Sequence, residues 1–298
     1  MTEADSRSPN RGLLLGLGAY GSWGLFPAFF PLLTPAGAVE VLAHRIVWTV
    51  LVMAVILTLT RQLGELRRLS ARTWGLLAGA TVLISVNWGV YIFAVTNGHV
   101  LDAALGYFIN PLVSVALGMA LFGERLGRTQ LAALVIAAVA VAVLAIESGT
   151  LPVISLLLAL SFGLYGAVKK VVPVGPRLSV GVEAGLAAPF AVAYLVVLTV
   201  MGQSTFLTHG AGHAALLMLC GPVTAIPLLM FAGAAQRLPL VTLGLLQYLT
   251  PALQMAWGVF VAHEPMPAAR WVGFGLIWLA LLVMTGGAVR SSAQPDPV

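Results

Sequence analysis

Leu105-Gly-Tyr-Phe-Ile-Asn-Pro-Leu112, running on to Gly123-Glu-Arg-Leu126, has a counterpart 140 positions later. That counterpart is Leu245-Leu-Gln-Tyr-Leu-Thr-Pro-Ala252, running on to His263-Glu-Pro-Met266. Without a gap, Pro111 falls on Pro251, Phe108 on Tyr248 and Glu124 on Glu264. Each copy reads as an apolar helix with a proline near its middle and a glutamate at its close. One helix design used twice across a hydrophobic chain is the trace of an internal repeat, and an inverted repeat of this kind points to a secondary transporter.

The solvent for these helices follows from composition. The 298 residues are 60% hydrophobic and 8% charged, with a mean hydropathy of +1.00. A soluble domain carries about a quarter charged residues. The apolar residues come in runs of about 20, the length a helix needs to cross a bilayer core. Ten such runs occur, at about 12–33, 38–60, 73–96, 102–122, 128–147, 152–168, 180–200, 214–235, 240–262 and 269–289. The reading is an all-α integral membrane protein with ten transmembrane helices. Gly 32 and Pro 17 are scattered through the runs, as suits close-packed membrane helices. The first run is too long for the apolar core of a signal peptide, and it has a partner in the second half.

Lys and Arg set the orientation, because they gather in cytoplasmic loops. With the N-terminus inside, all 15 basic residues except Arg45 and Arg270 fall on the cytoplasmic side. Both termini are then cytoplasmic, and the basic pI of 9.8 reports topology, not a nucleic-acid partner. Five helices is an odd number, so a second set of five starts from the opposite face. Tyr20, Trp23, Gly24 and Pro31 match Phe162, Tyr165, Gly166 and Pro173. Tyr91 and Ala94 match Phe231 and Ala234, and Glu40 matches Glu183. The expected organisation is a tail at 1–11, one five-helix repeat at 12–147, an inverted second repeat at 148–290 and a tail at 291–298, with the junction at Glu147 to Leu151.

A charge inside a bilayer is costly and needs a reason. Glu40 and His44 lie four apart on one helical face, and Arg45 is the next residue round. A guanidinium does not give up its proton, so Arg45 needs an anion. Asp102 is one candidate partner and a substrate carboxylate is the other. Glu40 and His44 are the pair for proton coupling. Asn87 and Tyr91 share a face of the third helix, beside Trp88. Tyr107, Asn110 and Ser114 share a face of the fourth, and Gln247, Thr250 and Gln254 take the matching positions in the ninth. Pro111 and Pro251 each remove a backbone donor near mid-membrane. Trp23, Tyr20 and Trp257 offer flat apolar walls. The residues expected to line a substrate site are Trp23, Glu40, His44, Arg45, Asn87, Tyr91, Tyr107, Asn110, Gln247 and Tyr248. Lys169 and Lys170 read as snorkelling to the cytoplasmic surface. Glu124 and Glu264 read as helix-end caps or partners of nearby arginines, and His209 and His213 as solvated loop residues.

Other chemistries lack their residues. Cys220 is the single cysteine, which excludes a disulfide and a cysteine-rich metal site. There is no phosphate-binding loop, no HExxH and no Ser/His/Asp set, so neither an ATPase nor a hydrolase is expected, and no metal or cofactor. The alternative function is a membrane-embedded enzyme or a ligand sensor that does not transport.

Glu40-Val-Leu-Ala-His-Arg-Ile-Val-Trp48, Asn87-Trp88, Leu105 to Leu112, Gly123-Glu-Arg125, Phe162 to Gly166 with Lys169-Lys170, and Gly244 to Tyr248 together resemble the EamA-type branch of the drug/metabolite transporter superfamily. Within it they are most similar to the RarD family of bacterial inner-membrane proteins, over roughly Arg11 to Arg290. The resemblance implies two inverted EamA repeats, cytoplasmic termini and export of small metabolites or drugs by alternating access. The family name is associated with chloramphenicol sensitivity. The implied partners are a small-molecule substrate and the lipid bilayer, with the protein a monomer or homodimer.

Overall fold

A computed structural model describes residues 9–123, 128–148, 151–235 and 246–292. Among the described residues every regular element is helical. The long helices are α1 (Pro9–Gly24), α2 (Ala38–Leu59), α3 (Ala71–Thr96), α4 (Val100–Phe122), α5 (Arg128–Ser148), α6 (Val153–Val171), α7 (Pro176–Val200), α8 (Gly210–Ala235), α9 (Leu249–Phe260) and α10 (Ala268–Ser292). Each overlaps one apolar run of the sequence. Five are long and apolar enough to cross a membrane, namely α2, α3, α4, α7 and α8, and α1 makes a sixth if its bent continuation is counted with it.

Local chemistry sets the ends. The Ser70 hydroxyl accepts from the Thr73 N–H at 3.2 Å and starts α3. Gly123, in the left-handed region at φ 64°, ends α4. After α1 the chain turns by 44° at Leu25 into two short turns, Phe26–Phe29 and Phe30–Leu33. Pro27 and Pro31 sit at their second positions, in the first turn, where a missing N–H leaves no bond unmade. The two matched prolines behave differently. Pro111 lies inside α4 without interrupting it. Pro251 lies in the first turn of α9, because Tyr248 breaks the helix just before it. Of the expected 240–262 span, residues 240–245 lie outside the described residues. Glu124, Arg125 and Arg237 lie outside the described residues.

Helix packing turns Glu40, Arg45 and Glu183 inward and leaves many apolar side chains outward. Val55, Leu59, Phe190, Val196 and Leu282 are exposed on the outside. An apolar exterior on this scale is stable only in hydrocarbon, so this is a multi-pass membrane protein. The packed pairs are α5 with α10, α4 with α6 and α9, α2 with α7 and α8, α1 with α8 and α9, and α3 with α6 and α7. One apolar core joins α4, α5, α9 and α10 around Phe108, Leu112 and Phe274. A second gathers α1, α2, α3, α4, α6 and α8 around Phe26, Phe30, Tyr91 and Leu217. Lipid tails are as apolar as these side chains, so close backbone approach supplies much of the adhesion. The tightest case is Gly221 of α8 against Trp48 of α2, where a Cβ would stand 2.6 Å from the Trp48 carbonyl.

Replacing Gly221 with alanine forces these backbones apart. Gly221→Ala is expected to lose roughly 1–3 kcal/mol of stability. Gly185→Ala, which faces open space, should lose none. Thermal unfolding in detergent measures both.

Candidate functional site

Arg45 projects from α2 into the interior and is 3% exposed. Its Nε donates to the Thr224 hydroxyl of α8 at 2.8 Å. The guanidinium carbon lies 4.1 Å from the Trp88 ring centroid, 5.4 Å from Phe26 and 5.7 Å from Phe30. Nη1 is buried and has no hydrogen-bond partner. Asp102 is not the counter-ion. Its carboxylate turns to Arg270 of α10 at 3.2 Å and to His99 at 3.0 Å. Asp102 and Arg270 both stand at the starts of their helices, so the ion pair forms there and leaves the interior arginine alone.

A neutral polar network fills the space beside the arginine. Asn87 Nδ2 of α3 donates to the Leu158 carbonyl and the Ser161 hydroxyl of α6, both at 3.0 Å. Tyr107 of α4 donates to Asn87 Oδ1 at 3.2 Å. Gln254 Nε2 of α9 donates to Tyr91 Oη at 3.0 Å and to the Trp23 carbonyl of α1 at 3.2 Å. The Tyr91 and Tyr107 rings are 5.7 Å apart. Thr250 donates to the Tyr20 carbonyl at 2.8 Å. Three buried atoms here can still accept or donate, namely Arg45 Nη1, Asn110 Oδ1 and Gln254 Oε1. Such a cluster can bind a polar solute by exchanging its own bonds for bonds to the guest.

The structure brings Arg45, Asn87, Tyr91, Tyr107 and the Trp23 backbone into one neighbourhood, with Asn110 one turn along α4 from Tyr107. The Trp23 ring packs edge-on against Tyr20 at 5.4 Å. Glu40 and His44 go elsewhere. Glu40 Oε1 accepts from the Thr205 N–H at 2.7 Å and holds the segment that leads into α8. The His44 ring stacks on Phe206 at 4.8 Å, and both its nitrogens are buried without a partner. Gln247 is half-buried before α9. Tyr248 lines an open apolar groove of about 350 Å³ with Phe108, Met255, Trp271 and Trp278. That groove is an apolar recess between helices, whereas the cluster at Arg45 is buried and polar.

Two readings of charged residues are corrected. Lys169 does not snorkel. Its ammonium turns inward to Glu183 Oε1 of α7 at 2.6 Å and also donates to the Ser179 hydroxyl. Tyr165 donates to Glu183 Oε2 at 3.0 Å and Ser179 to Oε1 at 2.7 Å, so the carboxylate is saturated. A buried glutamate facing an intramembrane lysine was the available signal. His213 is not a solvated loop residue, since it lies in α8 with Nε2 2.8 Å from the Thr205 hydroxyl. Gln254, two turns beyond Gln247, is the amide of α9 that enters the network. Glu264 caps α4 by accepting from Val100 N–H at 2.6 Å and Leu101 N–H at 3.0 Å. Burial raises its carboxyl above the ordinary 4.5, opposed by those two bonds. Among the described residues no three His, Cys, Asp or Glu side chains form a metal-binding group.

Fold and site define an all-helical membrane protein with a polar centre, and comparison gives its class. Residues 10–146 match the model of the EamA-like transporter family. The chain is 52% identical to Protein RarD of Streptomyces exfoliatus over 285 residues, 95% of this chain and 90% of that one. It is 41% identical to a Bacillus subtilis protein named as an uncharacterized transporter, YojE, covering 94% and 95%. It is 39% identical to Protein RarD of Escherichia coli, covering 97% and 99%. A crystal structure at 18% identity shares the fold, with a TM-score of 0.61 over 96% of this chain and 100% of its own. The protein is therefore a membrane transporter of the drug/metabolite superfamily. It belongs to the RarD family of the EamA-type branch.

Two measurements check the charge assignments. Lys169→Met strands a buried carboxylate and is expected to cost about 3–5 kcal/mol, most of it recovered in Lys169→Met/Glu183→Leu. Chemical denaturation of the single and double variants reads the difference. Glu264 has a raised folded pKa, so its contribution is greatest when it is protonated and is lost as pH rises through that pKa. Wild type should therefore lose stability relative to Glu264→Gln as pH climbs from the ordinary 4.5 upward. Melting temperatures of the two proteins across pH 4 to 8 follow it.

Proposed function

We propose that the protein is a secondary transporter that exports small metabolites or drugs across the bacterial inner membrane by alternating access. All ten long helices span the bilayer as two inverted five-helix repeats, 12–147 and 148–290, with both termini cytoplasmic. The carrying observation is the membership of the buried polar cluster. Helices α1 to α4 bring Trp23, Arg45, Asn87, Tyr91 and Tyr107, and the later half brings Ser161, Thr224 and Gln254. A site built from both repeats can open to either side when they rock against each other.

The packing supports the repeat. Exchanging each helix for the one five places on turns α4–α6 into α9–α1, α1–α8 into α6–α3 and α2–α8 into α7–α3. The pairs α2–α7, α4–α9 and α5–α10 map onto themselves, and all of these pairs are packed. Glu40 of α2 and Glu183 of α7 are matched buried carboxylates, each tying its helix to neighbouring segments. Glu40 and His44 serve proton coupling in this reading. Protonating Glu40 would weaken its hold on the segment before α8 and free that helix to move.

Site-directed labelling tests the carrier. With Cys220 changed to alanine, Trp23→Cys and Gln247→Cys are labelled by an impermeant maleimide in vesicles of both orientations. A carrier exposes each position to both sides in turn, with reactivity that shifts when substrate is present. Labelling from one side alone, whatever is added, would rule the carrier out and return the protein to a sensor or enzyme.

A further inference from the structure

The charge on Arg45 is not neutralised by any described carboxylate. Glu40 is held at Thr205, Asp102 at Arg270, Glu183 at Lys169 and Glu264 at the start of α4. Glu65 is exposed in the Leu63–Arg68 turn. The surrounding rings soften the isolation of the guanidinium without supplying an opposite charge. A buried ion without one stays strongly disfavoured. Thr224 satisfies Nε, and Nη1 is left without an acceptor in an interior position that is 3% exposed. One turn further along the same face, the Thr49 hydroxyl is fully buried and also unpartnered. Thr49 can donate as Arg45 does. Trp88, Phe26 and Phe30 stand around the guanidinium, with Trp88 closest, and the unpartnered Nη1 is a charged donor of the kind that carboxylates accept from.

Resting on the carrier reading above, we propose that this site takes a small organic monoanion, a carboxylate without an ammonium group, held at the free edge of Arg45 with its apolar body among the rings of Trp88, Phe26 and Phe30. Charge fixes the class. One negative charge brings the site to neutrality. A dianion such as a phosphate ester leaves a buried negative charge. An amino-acid zwitterion brings an ammonium for which no described buried carboxylate is free.

Three probes of one shape separate the charges: benzoate, benzamide and benzylamine, with sodium chloride at equal ionic strength as control. Benzoate at about 100 times its half-saturating concentration is expected to raise the melting temperature of the purified full chain by roughly 5 °C. Benzamide, benzylamine and chloride should leave it unchanged, and Arg45→Gln should abolish the benzoate shift. If Arg45→Gln does not fold, the fluorescence of Trp88 in wild type, with Trp88→Phe as background, should respond to benzoate and not to benzamide. Equal shifts from benzoate and benzamide, a larger one from benzylamine, no shift from any probe, or a full shift in Arg45→Gln would each overturn the proposal. Benzoate counterflow into proteoliposomes separates the two readings. Binding through Arg45 without flux keeps the anion site and removes the carrier. Alternating cysteine labelling without preference for benzoate keeps the carrier and removes the anion.

Discussion

Inside a bilayer a charge must meet an opposite charge, a set of aligned dipoles or a route to water, and the interior of this protein is arranged around that demand. Its ions meet it in different ways. Asp102 and Arg270 pair at helix starts, while Lys169 and Glu183 pair within the interior with Ser179 and Tyr165 completing the shell. Glu264 accepts from backbone N–H groups at the start of α4, and Glu40 from the Thr205 N–H before α8. Arg45 alone among these has only aromatic rings and one hydroxyl. The compensated ions brace the helices. On the anion proposal, the uncompensated one is where a guest would complete the structure.

The bonds that join the two halves at the centre are of a different kind from those ion pairs. Asn87 to Leu158 and Ser161, Gln254 to Tyr91 and Trp23, and Arg45 to Thr224 run between side chains and neutral acceptors. Each contributes on the order of 1 kcal/mol. Lys169–Glu183 lies wholly in the second half, and Glu40 ties α2 to the segment before α8. On the carrier reading, this distribution suits a protein whose halves must shift by the amount a bound solute can drive, since a ligand moves an equilibrium only by its differential affinity.

Much of this was legible before any coordinates. The apolar runs marked the ten long helices. Arg45 stood out because charge is rare in such runs. The identity of partners was not legible. Asp102 looked available to Arg45, yet Arg270 claims it from 168 residues away. Lys169 looked like a surface residue because it ends a helix, and only the position of α7 shows that its ammonium has a carboxylate to reach. Gln247 and Gln254 were equivalent on a helical wheel until the break at Tyr248 fixed where α9 begins.

What the sequence by itself determined is the solvent and the periodicity: hydrocarbon outside, helices throughout, and a few polar residues that could not be there without cause. Those are properties of composition and of spacing along one helix. What only the tertiary structure decided is which polar atoms meet. Arg45 and Thr224 lie 179 positions apart, and their contact at 2.8 Å depends on how α2 and α8 are rotated and set against each other around Gly221. Rotation and register between helices come from side-chain packing across the whole bundle, and no single stretch of chain contains them.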